Sequence, residues 1–280
     1  MFISITAPKK GMGQTLCAIN LIALLTKYIK GNAILADINK YSNDIEYYFS
    51  DTPITKSMDN VVSLIQAELL TKNSFATCVK EVNKNMDILV SNECFEINQD
   101  IVQKLVGQIN KSYDIGVVDT ISGNRQVTRD FLSKSDVIVV VLNQYKNVLD
   151  ILLQNNIYEE YKEKTIYIVN RYSDNISYKI SDIKSALGIK GSDNMVFPIN
   201  YDVEMVNESN DHSVLNYMLS FSSKQRMPYN QLAAIAEHVL KEYGEKLLLN
   251  EDMLNGNQKR KGFFGLPFSS KKGERLENKQ

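Results

Sequence analysis

The chain has 280 residues, 44% of them hydrophobic and 23% charged, with a formal net charge of −1. That composition is ordinary for a globular protein and excludes collagen-like and low-complexity classes. No run of about 18 apolar residues occurs, which excludes a transmembrane helix, and three cysteines without metal-type spacing plus two distant histidines leave zinc chemistry or a Ser-His-Asp triad little to work with. The N-terminal MFISITAPKK lacks a leading positive charge followed by a long apolar stretch, so a cytoplasmic chain is expected. Cys17, Cys78 and Cys94 read as buried or reduced thiols.

In chain order, Phe2–Thr6 reads as a short strand, followed by a glycine turn and a helix over TLCAINLIALLTKYIK. Ala33–Asp37 is a second buried strand ending at an acid. Ser57–Leu70 is predicted helical, with Val61, Val62, Ile65 and Leu69 on one stripe. Met86–Val90 reads as a strand and Ile101–Ile109 as a helix. Asp114–Asp119 and Asp136–Leu142 are strands, Val148–Tyr161 a helix, Thr165–Asn170 a strand and Tyr178–Leu187 a helix. Met195–Ile199 contains Pro198, which limits it to an edge or a strand end. Asn230–Tyr243 closes the pattern as a helix. Tyr47, Tyr48, Tyr158 and Tyr161 read as packing or surface residues. Apolar strands alternating with helices predict an α/β fold: a three-layer domain with a mostly parallel sheet covered by helices over residues 1–250, and a flexible tail over 251–280.

The turn after the first strand, Pro8 to Thr15, can make an anion site. Backbone N–H groups converge there and a helix N-terminus favours negative charge. Gly11 and Gly13 allow the backbone to close around a phosphate, and the Thr15 hydroxyl could ligate Mg²⁺. A tight turn alone also needs glycine, so GMG by itself is a weak signal. Asp37 and Asp119 each end a buried strand. Such an acid can cap a turn, but this edge of an α/β sheet is also where ligands bind. Asn170 can likewise be an ordinary turn residue.

Taken with the segments that follow, KKGMGQT ahead of AINLIALL resembles the deviant Walker A loop of the ParA/MinD family of P-loop ATPases, whose pattern is KGGxGKT. The other landmarks follow in order: AILADINKYSND, YDIGVVDTISG, SDVIVVVLNQYKNVLDI, the Asn170-Arg171 pair and, more loosely, FPINYDVEMVNESN. The resemblance spans about residues 1–245. It implies a P-loop fold binding ATP and Mg²⁺ through Lys9, Lys10, Gly11, Met12, Gly13, Gln14, Thr15 and Leu16, with Asn170 and Arg171 at the adenine. Thr15 and Asp119 would serve the metal; Asp37, Asn39 and Gly123 would form the switch segments. Lys9 stands at the signature lysine that reaches a partner's nucleotide, which implies a homodimer when nucleotide is bound. Two departures stand out. Gln14 replaces the usual P-loop lysine, and Asn39 replaces the acid that positions water, leaving Asp37 as the candidate catalytic acid. Hydrolysis is therefore expected to be weak or absent.

The resemblance implies a nucleotide-binding spatial organiser or assembly-localising protein. The alternatives are a non-hydrolysing scaffold recruiting partners for pilus or secretion assembly, and an active partition ATPase for plasmid or chromosome. From Asn257 to Gln280 seven basic residues face two acidic ones, so the tail carries +5 and the rest −6. An acidic body makes DNA the less expected partner. In the tail, KRKGFFGLPFSSKKGER puts Phe263, Phe264, Leu266 and Phe268 between cations, which suits contact with an anionic membrane at the inner face of the cell membrane. This run resembles the C-terminal membrane anchor of MinD proteins, apart from Pro267. Docking to an unidentified protein partner and a disordered solubilising tail are the other readings.

Overall fold

The fold was described from a computed structural model, for residues 1–39, 44–49, 54–91, 96–155, 158–190, 193–220, 226–245 and 247–249. The predicted tail, the boundary near residue 250 and Cys94 lie outside the described residues.

Eight strands form one sheet: β1 (Phe2–Thr6), β2 (Ala33–Asp37), β3 (Lys80–Asn83), β4 (Met86–Leu89), β5 (Ile115–Asp119), β6 (Val137–Leu142), β7 (Thr165–Tyr172) and β8 (Val196–Asn200). Their order is β3-β4-β2-β5-β1-β6-β7-β8, and every pairing is parallel except β3 with β4. The helices are α1 (Gln14–Tyr28), α2 (Asp44–Tyr47), α3 (Met58–Gln66), α4 (Lys72–Cys78), α5 (Gln99–Ser112), α6 (Gln126–Lys134), α7 (Lys146–Leu153), α8 (Ile180–Ala186), α9 (Val203–Asn210), α10 (Val214–Leu219) and α11 (Met227–Tyr243).

Side chains alternate across the strands and feed two cores. Ile3, Ile5, Leu35 and Val117 pack with α1, α7, α10 and α11 on one face, while Phe2, Ile34, Ala36 and Val118 pack with α3, α4, α5 and α6 on the other. Both faces are covered, which is why these strands are almost wholly apolar. Helix ends follow local chemistry. Asn98 accepts from the Ile101 N–H at 3.0 Å to start α5, Thr71 accepts from Ser74 N–H at 3.1 Å to start α4, and Pro228 sits in the first turn of α11. Pro198 lies in β8, an edge strand, where a missing N–H costs no ladder bond.

Three local expectations are corrected. The helix predicted to Leu70 ends at Gln66, Glu68 takes a left-handed φ of 59°, and Leu69 is 62% exposed rather than on the buried stripe. The helix predicted to Tyr161 ends at Leu153. Short α2, α4, α6, α9 and α10 and the antiparallel β3 were not predicted, because stretches of four to nine residues carry too few periods to register.

Candidate nucleotide site

The strand order reverses around β1, whose neighbours β5 and β6 come late in the chain. A cleft is expected at the carboxyl edge of such a sheet. One of about 550 Å³ opens there, lined by Lys10, Gly11, Gly13, Gln14, Thr15 and Leu16 of the loop, by Asp119, Thr120 and Ser122 after β5, and by Asn39, Tyr47, Tyr48 and Arg171. Sequence reading thus identified most of this wall. Tyr47, Tyr48, Thr120 and Ser122 were missed as cleft residues, because nothing in their spacing distinguishes a wall side chain from a packing or turn one.

Gly13 forms the loop's turn into α1, with φ 81°, and its carbonyl accepts the Cys17 N–H at 3.0 Å. A Cβ there would come within 2.3 Å of Asn170 Nδ2. Asn170 itself braces the loop, donating from Nδ2 to the Met12 carbonyl at 2.9 Å while its Oδ1 accepts from the Arg171 N–H at 2.9 Å. The ladder between β7 and β8 shifts register here, and Arg171 takes a left-handed φ of 54°. This bulge places the exposed Arg171 at the cleft. Met12 is buried, and Lys9 is half-buried and is not a lining residue, unlike the exposed Lys10.

Gln14 is tucked beneath the loop, 7% exposed. Its Nε2 lies 2.6 Å from Asp119 Oδ1, 2.7 Å from the Thr120 carbonyl and 3.0 Å from the Ile5 carbonyl. An amide has two N–H groups, so three acceptors around one nitrogen mean a shared bond. Gln14 Oε1 accepts from Ser122 Oγ at 3.0 Å. Thr15 Oγ1 donates to Asp119 Oδ2 at 2.6 Å. The buried Asp119 carboxylate thus accepts from a side chain at each oxygen. Thr15 and Asp119 offer hard oxygen donors side by side at the cleft, a set that fits Mg²⁺.

Asp37 is paired in register with Asp119, is 1% exposed and accepts the Asn39 N–H at 2.7 Å. It closes the turn after β2, and Asn39 is the residue that reaches the cleft wall. Gly123, with φ 86°, donates its N–H to the Ala7 carbonyl at 2.8 Å, joining the segment after β5 to the start of the loop. Next to this network, burial pushes the Cys17 thiol up to about 12, and the Asp119 carboxylate adds to the effect.

No protein-family profile and no curated protein sequence matches the chain. Solved structures do match its fold. A ParA family ATPase from Chlorobium tepidum TLS superposes with a TM-score of 0.70 at 20% identity, covering 85% of this chain and 98% of that one. The MinC:MinD cell division complex of Aquifex aeolicus gives 0.70 at 17% identity, covering 86% and 96%. The septum site-determining protein MinD from Pyrococcus horikoshii OT3, complexed with Mg-ADP, gives 0.67 at 14% identity, covering 85% and 95%. The chain therefore has the P-loop fold of ParA and MinD proteins.

Proposed function

We propose that the chain is a nucleotide-binding spatial organiser or assembly-localising protein of the ParA/MinD type, with slow or absent hydrolysis. The observation that carries this reading is Gln14. The loop and its helix are formed, yet the residue in the place of the usual P-loop lysine is a neutral amide bonded to Asp119 and two backbone carbonyls. Loop N–H groups, the α1 N-terminus and Lys10 would hold the phosphates, with Arg171 and Asn170 at the base. Thr15 and Asp119 would hold Mg²⁺, which supplies charge neutralisation when bound. That the similar MinD was solved with Mg-ADP supports this ligand class, and the MinC:MinD complex supports a protein partner. Asn39 in place of an acid removes a group that could orient water. Calorimetry with ATP, ADP and GTP at millimolar concentration, with and without Mg²⁺, tests the reading. Weak, saturable binding with negligible turnover is expected; turnover at an ordinary family rate overturns it.

The scaffold reading draws on the same network. In that reading the mutual hydrogen bonds of Gln14, Thr15, Ser122 and Asp119 would hold the loop in place of a ligand. A chain that binds no nucleotide at millimolar concentration yet remains folded would favour it.

A further inference from the structure

A second cavity, of about 800 Å³, opens at the opposite edge of the sheet, where β7 and β8 begin. Leu152, Tyr167, Leu187, Ile189 and Met195 give it an apolar lining, and Leu153 beside them is 50% exposed. Three of its lining residues, Asn155, Tyr158 and His238, hold buried polar atoms, Oδ1, Oη and Nε2, with no hydrogen-bond partner. Such an atom costs about 1–3 kcal/mol unless something pairs with it. The charged lining residues are Glu159, Glu163, Asp193 and Glu242 against Lys162 and Lys241. The two lysines already face Glu159 at 2.8 Å and Glu242 at 3.5 Å. The lining therefore mixes apolar side chains with a formal excess of two acids, and Lys184 Nζ also lies 2.8 Å from the Asp193 carbonyl.

The chain carries a segment of opposite charge. α11 forms one wall of the cavity through His238, Lys241 and Glu242. Beyond it, Leu248 accepts the Lys30 N–H at 2.7 Å and Leu249 bridges to Ile29, at the C-terminal end of α1. α1 leaves the carboxyl edge of β1 and returns toward the amino edge of β2, so this anchor lies at the cavity's end of the sheet. Thirteen residues lie between Leu249 and Phe263. They span up to about 50 Å when extended, well beyond the radius of gyration of about 18 Å for a domain of this size.

We propose that Phe263, Phe264, Leu266 and Phe268 dock into this cavity of their own chain, with Lys259, Arg260 and Lys261 against the acids of its lining. Gly262, Gly265 and Pro267 disfavour a helix through the segment. An extended segment keeps backbone N–H groups available for Asn155 Oδ1 and His238 Nε2. The docked tail is withdrawn from any other surface, so docking opposes contact with lipid or a partner. This inference is independent of whether the nucleotide cleft is occupied.

The test uses the full-length chain with photoreactive benzoylphenylalanine at Phe264. Irradiation is expected to give cross-links within one chain, mapped by mass spectrometry to Leu152–Tyr167, Leu187–Met195 or His238–Glu242. Reversing the rim with Glu163→Lys and Asp193→Lys should lower their yield about fivefold through like-charge repulsion. Raising NaCl from 0.05 to about 0.5 M should lower the yield of the unsubstituted rim through screening, a measurement that does not depend on the double variant folding. Cross-links elsewhere, cross-links only between chains, or a yield indifferent to both salt and rim charge would overturn the proposal.

Discussion

Gln14 sits in a cradle of three acceptors, the Asp119 carboxylate and the Ile5 and Thr120 carbonyls. An ammonium has three N–H groups and would match that cradle better than an amide with two. Gln14→Lys should therefore be accommodated and should restore a charge able to reach a phosphate. A charged hydrogen bond is worth about 1.5–3 kcal/mol, so ATP affinity should rise roughly 10- to 150-fold by calorimetry. An unchanged affinity would mean that the charge stays locked on Asp119. Cys17 gives a second residue-scale expectation. Its thiol is raised to about 12 from 9.0, mainly by burial. The folded state thus holds this proton more tightly than the unfolded state. The stabilising contribution is complete below pH 9 and is lost as pH rises toward 12. Urea unfolding should show the stability of the parent chain falling, relative to Cys17→Ala, by about 1 kcal/mol per pH unit above 9.

At the scale of elements, the loop after β8 is tied to two helices through one carboxylate. Asp202 is 7% exposed, accepts the Glu204 N–H at 3.0 Å to start α9, and takes Arg226 Nε at 2.9 Å and a second guanidinium nitrogen at 2.5 Å. Tyr217 of α10 donates to it at 3.4 Å. The Arg226 side chain is 42% exposed, so solvent screening moderates the ion pair. Losing the cap and the pair together in Asp202→Ala should cost about 2 kcal/mol in urea unfolding, and Asp202→Asn, which can still cap, should recover about half. The sequence showed α1 plainly, because twelve of its fifteen residues are buried and it reads as a continuous apolar run. It did not show α9 or α10, whose role is to present Asp202 and Tyr217 to each other across an 15-residue separation.

For the whole molecule, two expectations concern assembly and surface. Lys9 is half-buried and not a lining residue of its own cleft. If it reaches across a two-fold axis, as the resemblance implies, light scattering should show a nucleotide-dependent dimer that Lys9→Ala abolishes. A monomer at every nucleotide concentration would contradict this. Four apolar side chains and flanking cations should give reversible binding to anionic liposomes, with each nearby cation contributing about 1 kcal/mol before screening. Intact chain should co-sediment with such liposomes and a chain ending at Asn255 should not. Equal behaviour of the two would rule out the lipid anchor and leave the tail to its own chain's cavity or to a protein partner. Docking of the tail within the chain predicts in addition that Glu163→Lys with Asp193→Lys increases the lipid-bound fraction, since the released tail no longer has to leave the cavity.

The sequence alone determined the layers, the parallel strands and the loop, because apolar runs and a glycine turn depend on neighbours close in the chain. It also put Asp37 and Asp119 at one edge, since each ends a buried strand, and Thr15 at the start of the helix that follows the loop. Only the tertiary structure decided what those residues touch. Gln14 meets Asp119 across 105 positions, Asn170 meets Met12 across 158, and Tyr47 joins a cleft wall that its own spacing does not reveal. The second cavity brings together residues from Leu152 to Glu242. Hydrogen bonds and charge pairing act at a few ångströms, whereas sequence patterns report only which face of an element is apolar. Partnerships between distant elements therefore emerge only once the sheet sets the distances.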